Sequence, residues 1–264
     1  MKYLNFSIKE LMNKAGTLKN EYTIADPFPH IIIDNFFNEK NLDMLIENFP
    51  KNSDEYSDVF NNKIEKKLTL NNPSQFSEEN NNFINFLNSY IFTNFLQVIT
   101  NIDEPLIPDP YLIGGGLHEL KNNGFLNVHA DFNIHPKMKL DRRLNVLIYL
   151  NKNWTNENGG QLELWNKEMT KCHQSIIPKY NRMVIFSTTS FSYHGNPNKV
   201  KCLDDNSRKS LALYYYSNGR PSSELKLGNH STIFRKRPGT DDMDGDIKFK
   251  KLFGKFYMRS KNKK

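Results

Sequence analysis

Cysteine is nearly absent from this chain: Cys172 and Cys202 are the only two among 264 residues. Two cysteines cannot staple a chain this long, and neither sits in a CxxC pair, so reduced thiols are expected rather than a disulfide framework or a thiol-ligated metal. Long hydrophobic runs are missing as well. No stretch approaches the roughly 20 apolar residues that cross a bilayer. The opening Met1-Lys-Tyr-Leu-Asn-Phe-Ser7 lacks the apolar segment of a secretory signal. A cytoplasmic location without membrane contact is therefore the expectation. No internal repeat is found.

The body of the chain also lacks charge of one sign. The formal net charge is +7, from 36 Lys and Arg against 29 Asp and Glu. Residues 247–264 hold eight of the bases and no acid, so the other 246 residues carry 28 bases against the same 29 acids, a net of −1. Any pull on a polyanion is confined to that tail, and nucleic acid is not the expected partner.

What is present falls into two halves. Pro27-Phe-Pro-His30 running into Ile31-Ile-Ile-Asp-Asn-Phe-Phe37 predicts a turn and a buried strand. Asn38 can cap a helix carrying Leu42, Leu45, Ile46 and Phe49 at helical spacing. Residues 51–80, rich in Asn, Ser, Lys and Glu, read as a long surface connection with one short strand near Lys67–Leu70. A second amphipathic helix is predicted over 80–99, the two helices covering one face of a sheet. From Tyr111 onward short β-prone segments follow one another at 111–120, 125–132, 143–150, 161–165, 172–177, 182–187 and 208–217. Closely spaced strands without helical crossovers argue for an antiparallel sandwich or barrel. Loops at 133–141 and 151–160 suit its mouth, while 221–239 is irregular and 240–246 an acidic turn.

The chemistry concentrates in Phe125-Leu-Asn-Val-His129-Ala-Asp131-Phe132. His129 and Asp131, two residues apart on a strand, point to the same side of a sheet. A carboxylate among apolar neighbours needs a metal or an ion pair to compensate it. A second imidazole, His194 in Phe191-Ser-Tyr-His194-Gly195, completes two histidines and one carboxylate with coordination positions to spare, a set that suits non-haem Fe(II). His118, His135 and His173 are rival ligands on residue type alone. Arg208 and Ser210, fourteen residues past His194, share a strand face and are suited to grip a carboxylate. Arg142, Arg143, His118, Asn133, His135 and Trp165 are placed where they can approach the mouth. Tyr214, Tyr215 and Tyr216 alternate across one strand.

In that order (His-x-Asp, distal His, Arg-x-Ser) the stretch from Gly114 to Tyr216 resembles the Fe(II)- and 2-oxoglutarate-dependent dioxygenases, in particular their prolyl-4-hydroxylase-like branch. Arg143-Leu-Asn-Val-Leu-Ile-Tyr-Leu-Asn151 resembles the core strand after the His-x-Asp region, and Gly159-Gly160-Gln-Leu-Glu-Leu-Trp165 the family's Gly-Gly turn. His30-Ile-Ile-Ile-Asp34-Asn-Phe-Phe37 resembles the segment leading into such domains.

The resemblance implies a mainly β fold with flanking helices (α+β), a distorted double-stranded β-helix or cupin-like jelly roll. It implies one oxygenase domain over 1–246, with helical support to about 100, a core over about 101–220 and an extension at 221–246, followed by the tail at 247–264. His129, Asp131 and His194 are then the iron ligands and catalytic residues. Arg208 and Ser210 bind the distal carboxylate of 2-oxoglutarate, and O2 is the second co-substrate. The reaction implied is hydroxylation of an unactivated C–H bond, with 2-oxoglutarate decarboxylated to succinate, on a prolyl or other amino-acid residue or a small molecule. Asp131 favours hydroxylation over halogenation, since related halogenases have a small residue there. Desaturation or ring closure by the same chemistry, or a non-enzymatic jelly-roll binding module, are the alternative readings.

Overall fold

The computed structural model describes residues 2–202, 206–221, 224 and 228–246; the basic tail at 247–264 lies outside them. In chain order the elements are α1 (Ile8–Ile24), β1 (His30–Asp34), α2 (Glu39–Glu47), β2 (Asp58–Asn61), β3 (Glu65–Leu70), α3 (Glu78–Leu87), α4 (Tyr90–Thr100), β4 (Ile107–Pro108), β5 (Gly116–Leu120), β6 (Phe125–Ala130), β7 (Asp141–Tyr149), β8 (Leu162–Trp165), β9 (Cys172–Ile176), β10 (Arg182–Ser187), β11 (His194–Asn196), β12 (Arg208–Ser217), β13 (Ile233–Phe234) and β14 (Gly245–Asp246).

The strands form one antiparallel sheet in the order β1-β10-β7-β12-β5-β3-β6-β11-β8-β9, with the short β2, β4, β13 and β14 attached at its margins. It curls on itself, so β3, β5, β6, β7, β11 and β12 all contribute residues to one cavity. This is the antiparallel barrel expected from the spacing of the short strands, and the jelly roll that the family resemblance implies.

Alternation along the strands separates core from cavity. On β7, Leu144, Val146 and Ile148 join the main hydrophobic cluster, while Asn145 and Leu147 line the cavity. On β12, Leu211, Leu213 and Tyr215 enter the same core, while Arg208, Ser210 and Tyr214 face the cavity. The outer cluster is closed by the helices through Leu11, Leu42, Phe83, Phe92 and Phe95, all at most 2% exposed.

The helical layer is larger than the sequence pattern indicates. α1 begins with a capping box in which Ser7 and Glu10 bond reciprocally, yet its only buried residues are Leu11, Ala15 and Tyr22. So sparse an apolar stripe gives little periodic signal. The helix expected over 80–99 is two, broken where Asn88 caps α3 and the Ser89 hydroxyl donates to Phe86 O at 2.6 Å.

The segment 51–80 differs most from expectation. It contains the β2–β3 hairpin, and β3 is an interior strand between β5 and β6. Leu68 and Leu70 face the core, whereas Glu65, Lys67 and Thr69 line the cavity. A polar row on a strand usually faces bulk water, so this wall reads as surface in sequence.

Candidate metal and co-substrate site

β6 and β11 pair with His129 directly opposite His194. Neighbouring strands in register bring the two rings to a centroid separation of 4.6 Å. Asp131, just past the end of β6, places Oδ1 3.5 Å from His129 Nε2 and Oδ2 3.4 Å from His194 Nε2. Among the described residues these three form the single group of at least three potential ligands with donor atoms within 4.8 Å of one another, and all three are buried. Each imidazole is oriented from behind. His129 Nδ1 lies 2.8 Å from Asn127 O, and His194 Nδ1 2.9 Å from Ser192 O. A carbonyl can only accept, so Nδ1 carries the proton and Nε2 presents its lone pair inward.

Asp131 is held by partners that sequence reasoning did not assign to it. Asn145 Nδ2 donates to Oδ2 at 2.8 Å, and an Arg142 terminal nitrogen stands 3.0 Å from the same oxygen. Arg142 also donates twice to Asn145 Oδ1, at 2.7 and 3.1 Å, and its guanidinium lies 3.5 Å from the Tyr214 ring centroid. Burial raises the Asp131 carboxyl pKa, but Arg142 and the two histidines outweigh it and hold the group well below the ordinary range. Burial, with His129 and Arg142 adding to it against Asp131, lowers His194 to about 4. An ionised carboxylate and a neutral imidazole are the protonation states a divalent metal requires.

Across the cavity Arg208 is 2% exposed. Its Nε donates to Gly160 O at 2.7 Å, and a terminal nitrogen donates to Asn196 Oδ1 at 3.1 Å and reaches Tyr149 Oη at 3.5 Å. Among the described residues no carboxylate pairs with it, and burial lowers its pKa. A buried guanidinium met only by neutral oxygens is costly unless an anion joins it. Ser210, two residues along the same face, also lines the cavity. The donor set therefore fits both halves of the expected complement: a divalent metal at His129, Asp131 and His194, and a carboxylate at Arg208. The cavity encloses about 1420 Å³, above the roughly 300–1,000 Å³ of ordinary ligand pockets, which leaves room for a substrate beside a dicarboxylate.

The rival residues separate by their contacts. His135 Nε2 lies 3.1 Å from Asp109 and its Nδ1 accepts from Lys137 N and Met138 N, bracing the loop beside the mouth. His173 pairs with exposed Asp26. His118 lines the cavity but bonds Gly115 O and stands on the Arg208 side, paired with Ser210 across β5 and β12. Arg143 points away, to Glu104 at 2.6 Å and Ser217 at 2.9 Å. Trp165 packs with Val128, Ala130 and Tyr193 and donates to Glu163. Asn133 ties the chain near His230. Of the three consecutive tyrosines, Tyr214 faces the cavity and Tyr215 the core, its hydroxyl donating to Leu87 O.

Residues 115–216 match the 2OG-Fe(II) oxygenase superfamily. No curated protein matches the chain. Solved structures share its fold. A Trichoplax adhaerens prolyl hydroxylase, in complex with a hypoxia inducible factor oxygen degradation domain peptide fragment, is 18% identical with a TM-score of 0.54, over 84% of this chain and 96% of that one. A prolyl 4-hydroxylase from Phytophthora capsici is 16% identical with a TM-score of 0.53, over 81% of this chain and 68% of that one. HygX from Streptomyces hygroscopicus, with nickel, 2-oxoglutarate and hygromycin B bound, is 11% identical with a TM-score of 0.52, over 80% and 94%.

Proposed function

We propose, from the match of residues 115–216 to the 2OG-Fe(II) oxygenase superfamily and the fold shared with a prolyl hydroxylase, that this chain is a 2-oxoglutarate-dependent enzyme that hydroxylates an unactivated C–H bond. His129, Asp131 and His194 are the residues that hold Fe(II), and Arg208 with Ser210 receives the distal carboxylate of 2-oxoglutarate. The observation carrying this reading is the pairing, in one cavity, of a buried His-Asp-His group with a buried arginine that lacks a carboxylate partner among the described residues.

When bound, the metal and 2-oxoglutarate supply the oxidising power: O2, 2-oxoglutarate and the substrate C–H give succinate, CO2 and the C–OH product. The chain's own residues do the rest. The Asn127 and Ser192 carbonyls fix the two imidazole tautomers. Asn145 and Arg142 keep Asp131 ionised and aimed. Arg208 sets which end of the dicarboxylate points away from the metal, because Gly160 O and Asn196 Oδ1 fix its guanidinium in the cavity wall.

The substrate is a prolyl or other amino-acid residue or a small molecule. The volume beyond the dicarboxylate supports both, as do fold neighbours seen with a peptide fragment and with hygromycin B. The deciding experiment is anaerobic titration of metal-free protein with Fe(II) and then 2-oxoglutarate. A charge-transfer band that needs both additions and is lost in Asp131→Ala is the expected outcome. Folded protein with no band and no 2-oxoglutarate binding would instead make this a jelly-roll binding module.

A further inference from the structure

The strand bearing His129 has two edges. One is taken by β11. The other is taken by β3, but only at Phe125 and Leu126, with Asn127 N donating to Ile64 O at the end of that contact. Beyond Asn127 this edge would present unpaired backbone groups beside the metal ligands, an exposed margin that proteins cover. The cover comes from the C-terminal extension. β13 pairs Ile233 with Ala130 and Phe234 with His129, and Arg235 N donates to Val128 O at 2.9 Å.

Register then decides what this strand shows to the site. Residues directly opposite in an antiparallel pair share a face, so Phe234 points with His129 into the cavity. Their ring centroids are 5.3 Å apart. Just beyond the paired residues Asn133 N donates to His230 O at 3.4 Å, which keeps the two segments side by side. Thr232 and Phe234 both line the cavity, and Phe234 is 4% exposed. Thr232 and Phe234 thus stand in the same cavity wall as His129, with Phe234 directly opposite it.

A two-residue strand does not hold itself, and this one is anchored at both ends. Upstream, Asn133 accepts from His230 N at 2.8 Å and donates to Gly228 O at 2.7 Å, while His230 Nε2 lies 2.8 Å from Ser190 Oγ. Downstream, Arg237 pairs with Asp242 at 2.7 Å and reaches Asn198 at 3.2 Å and buried Glu163 at 3.7 Å. These contacts reach β8 and the loops on either side of β11, so the segment 228–246 is built into the site.

We propose that Phe234 is a positioning residue of the oxygenase site, a water-excluding wall against the ligand set whose ring, together with Thr232, bounds the space offered to the substrate's reacting carbon. Exclusion of water at this point protects the reaction from side paths. The inference rests on His129, Asp131 and His194 being the metal ligands.

Water-proton relaxation of the full-length protein loaded with Mn(II), which takes the same nitrogen and oxygen donors, tests it without any turnover. Wild-type protein should bind Mn(II), and Asp131→Ala should not. Phe234→Ala should raise the relaxivity per bound Mn(II) and release the metal to a chelator severalfold faster. Phe234→Leu, which keeps an apolar side chain at the position, should stay near wild type. Ile233→Ala, altered on the opposite face of the strand, should do the same. Relaxivity unchanged in folded Phe234→Ala would overturn the inference. An equal rise in Ile233→Ala would overturn it too, by assigning the effect to docking of the strand instead of the ring. Wild type that fails to bind Mn(II) would remove the ligand assignment itself, a separate failure readable before the Phe234 variants are compared.

Discussion

On the proposed assignment Arg208 makes opposite demands on the free and loaded protein, which gives a test with two signs. Replacing it by Met keeps the stem's packing and removes the charge. In the ligand-free protein the guanidinium is 2% exposed and bonds only neutral oxygens. Its removal strands the Gly160 carbonyl and the Asn196 amide oxygen, at about 1–3 kcal/mol for each unsatisfied acceptor. It also relieves the desolvation of an unpaired charge, a penalty of several kcal/mol. These terms offset, so the Tm of the ligand-free protein should shift by only a few degrees in either direction. The loaded protein is different: taking one partner from a buried ion pair costs about 3–5 kcal/mol, roughly 10² to 4 × 10³-fold in the Kd for 2-oxoglutarate. Anaerobic calorimetry of the Fe(II)-loaded variant reads the Kd, and thermal melts with and without 2-oxoglutarate read the linked stabilisation. Arg208→Lys should fall between, since a point charge replaces a fork. A Kd within threefold of wild type would refute the assignment of the co-substrate carboxylate to Arg208. A large stability loss in the ligand-free protein would show that the residue serves the fold instead.

Asn145→Asp puts a carboxylate where an amide now donates to Asp131 at 2.8 Å; metal affinity, read by chelator competition, should drop about 10–100-fold as for other partners of metal ligands. Gly160→Ala forces a side chain onto a residue with φ of +65° and sets its Cβ 2.8 Å from Arg208 Cδ. It should lower Tm and weaken 2-oxoglutarate binding together, whereas Gly219→Ala, with φ of +91° and open space around it, should lower Tm alone. Burial, reinforced by Lys67, lowers His118 from 6.5 to about 3. The unfolded chain then binds the extra proton between those values, so stability of the metal-free protein should fall as pH drops from 6.5 toward 3. The melting profile over that window should be shallower in His118→Gln, and identical slopes would count against a half-buried neutral imidazole.

The chemistry was more legible in the sequence than its supports. Strands with strict alternation announced themselves, and His129, Asp131, His194, Arg208 and Ser210 lie on strands or at a strand's end with strong apolar neighbours. What stayed hidden depends on pairings distant in the chain. Arg142 reads as a base near the mouth, and its role beside Asp131 emerges only when β7 sets it there. Glu65, Lys67 and Thr69 look solvated because nothing local shows that β3 has a strand on both sides. β13 is two residues long, below the length at which periodicity exists, and its meaning lies wholly in its register with His129.

One consequence follows from how short β11 is. Its three residues meet β6 through the His194–His129 pair, and the register shifts before Asn196. A slip of one residue would turn the His194 imidazole to the opposite face of the sheet. A metal held by His129 and His194, as proposed, would tolerate no such slip, because it would need both imidazoles at once. On the proposed ligand assignment, the ion would therefore also proofread the architecture: only a correctly threaded barrel would take it up, and a misthreaded copy would stay empty.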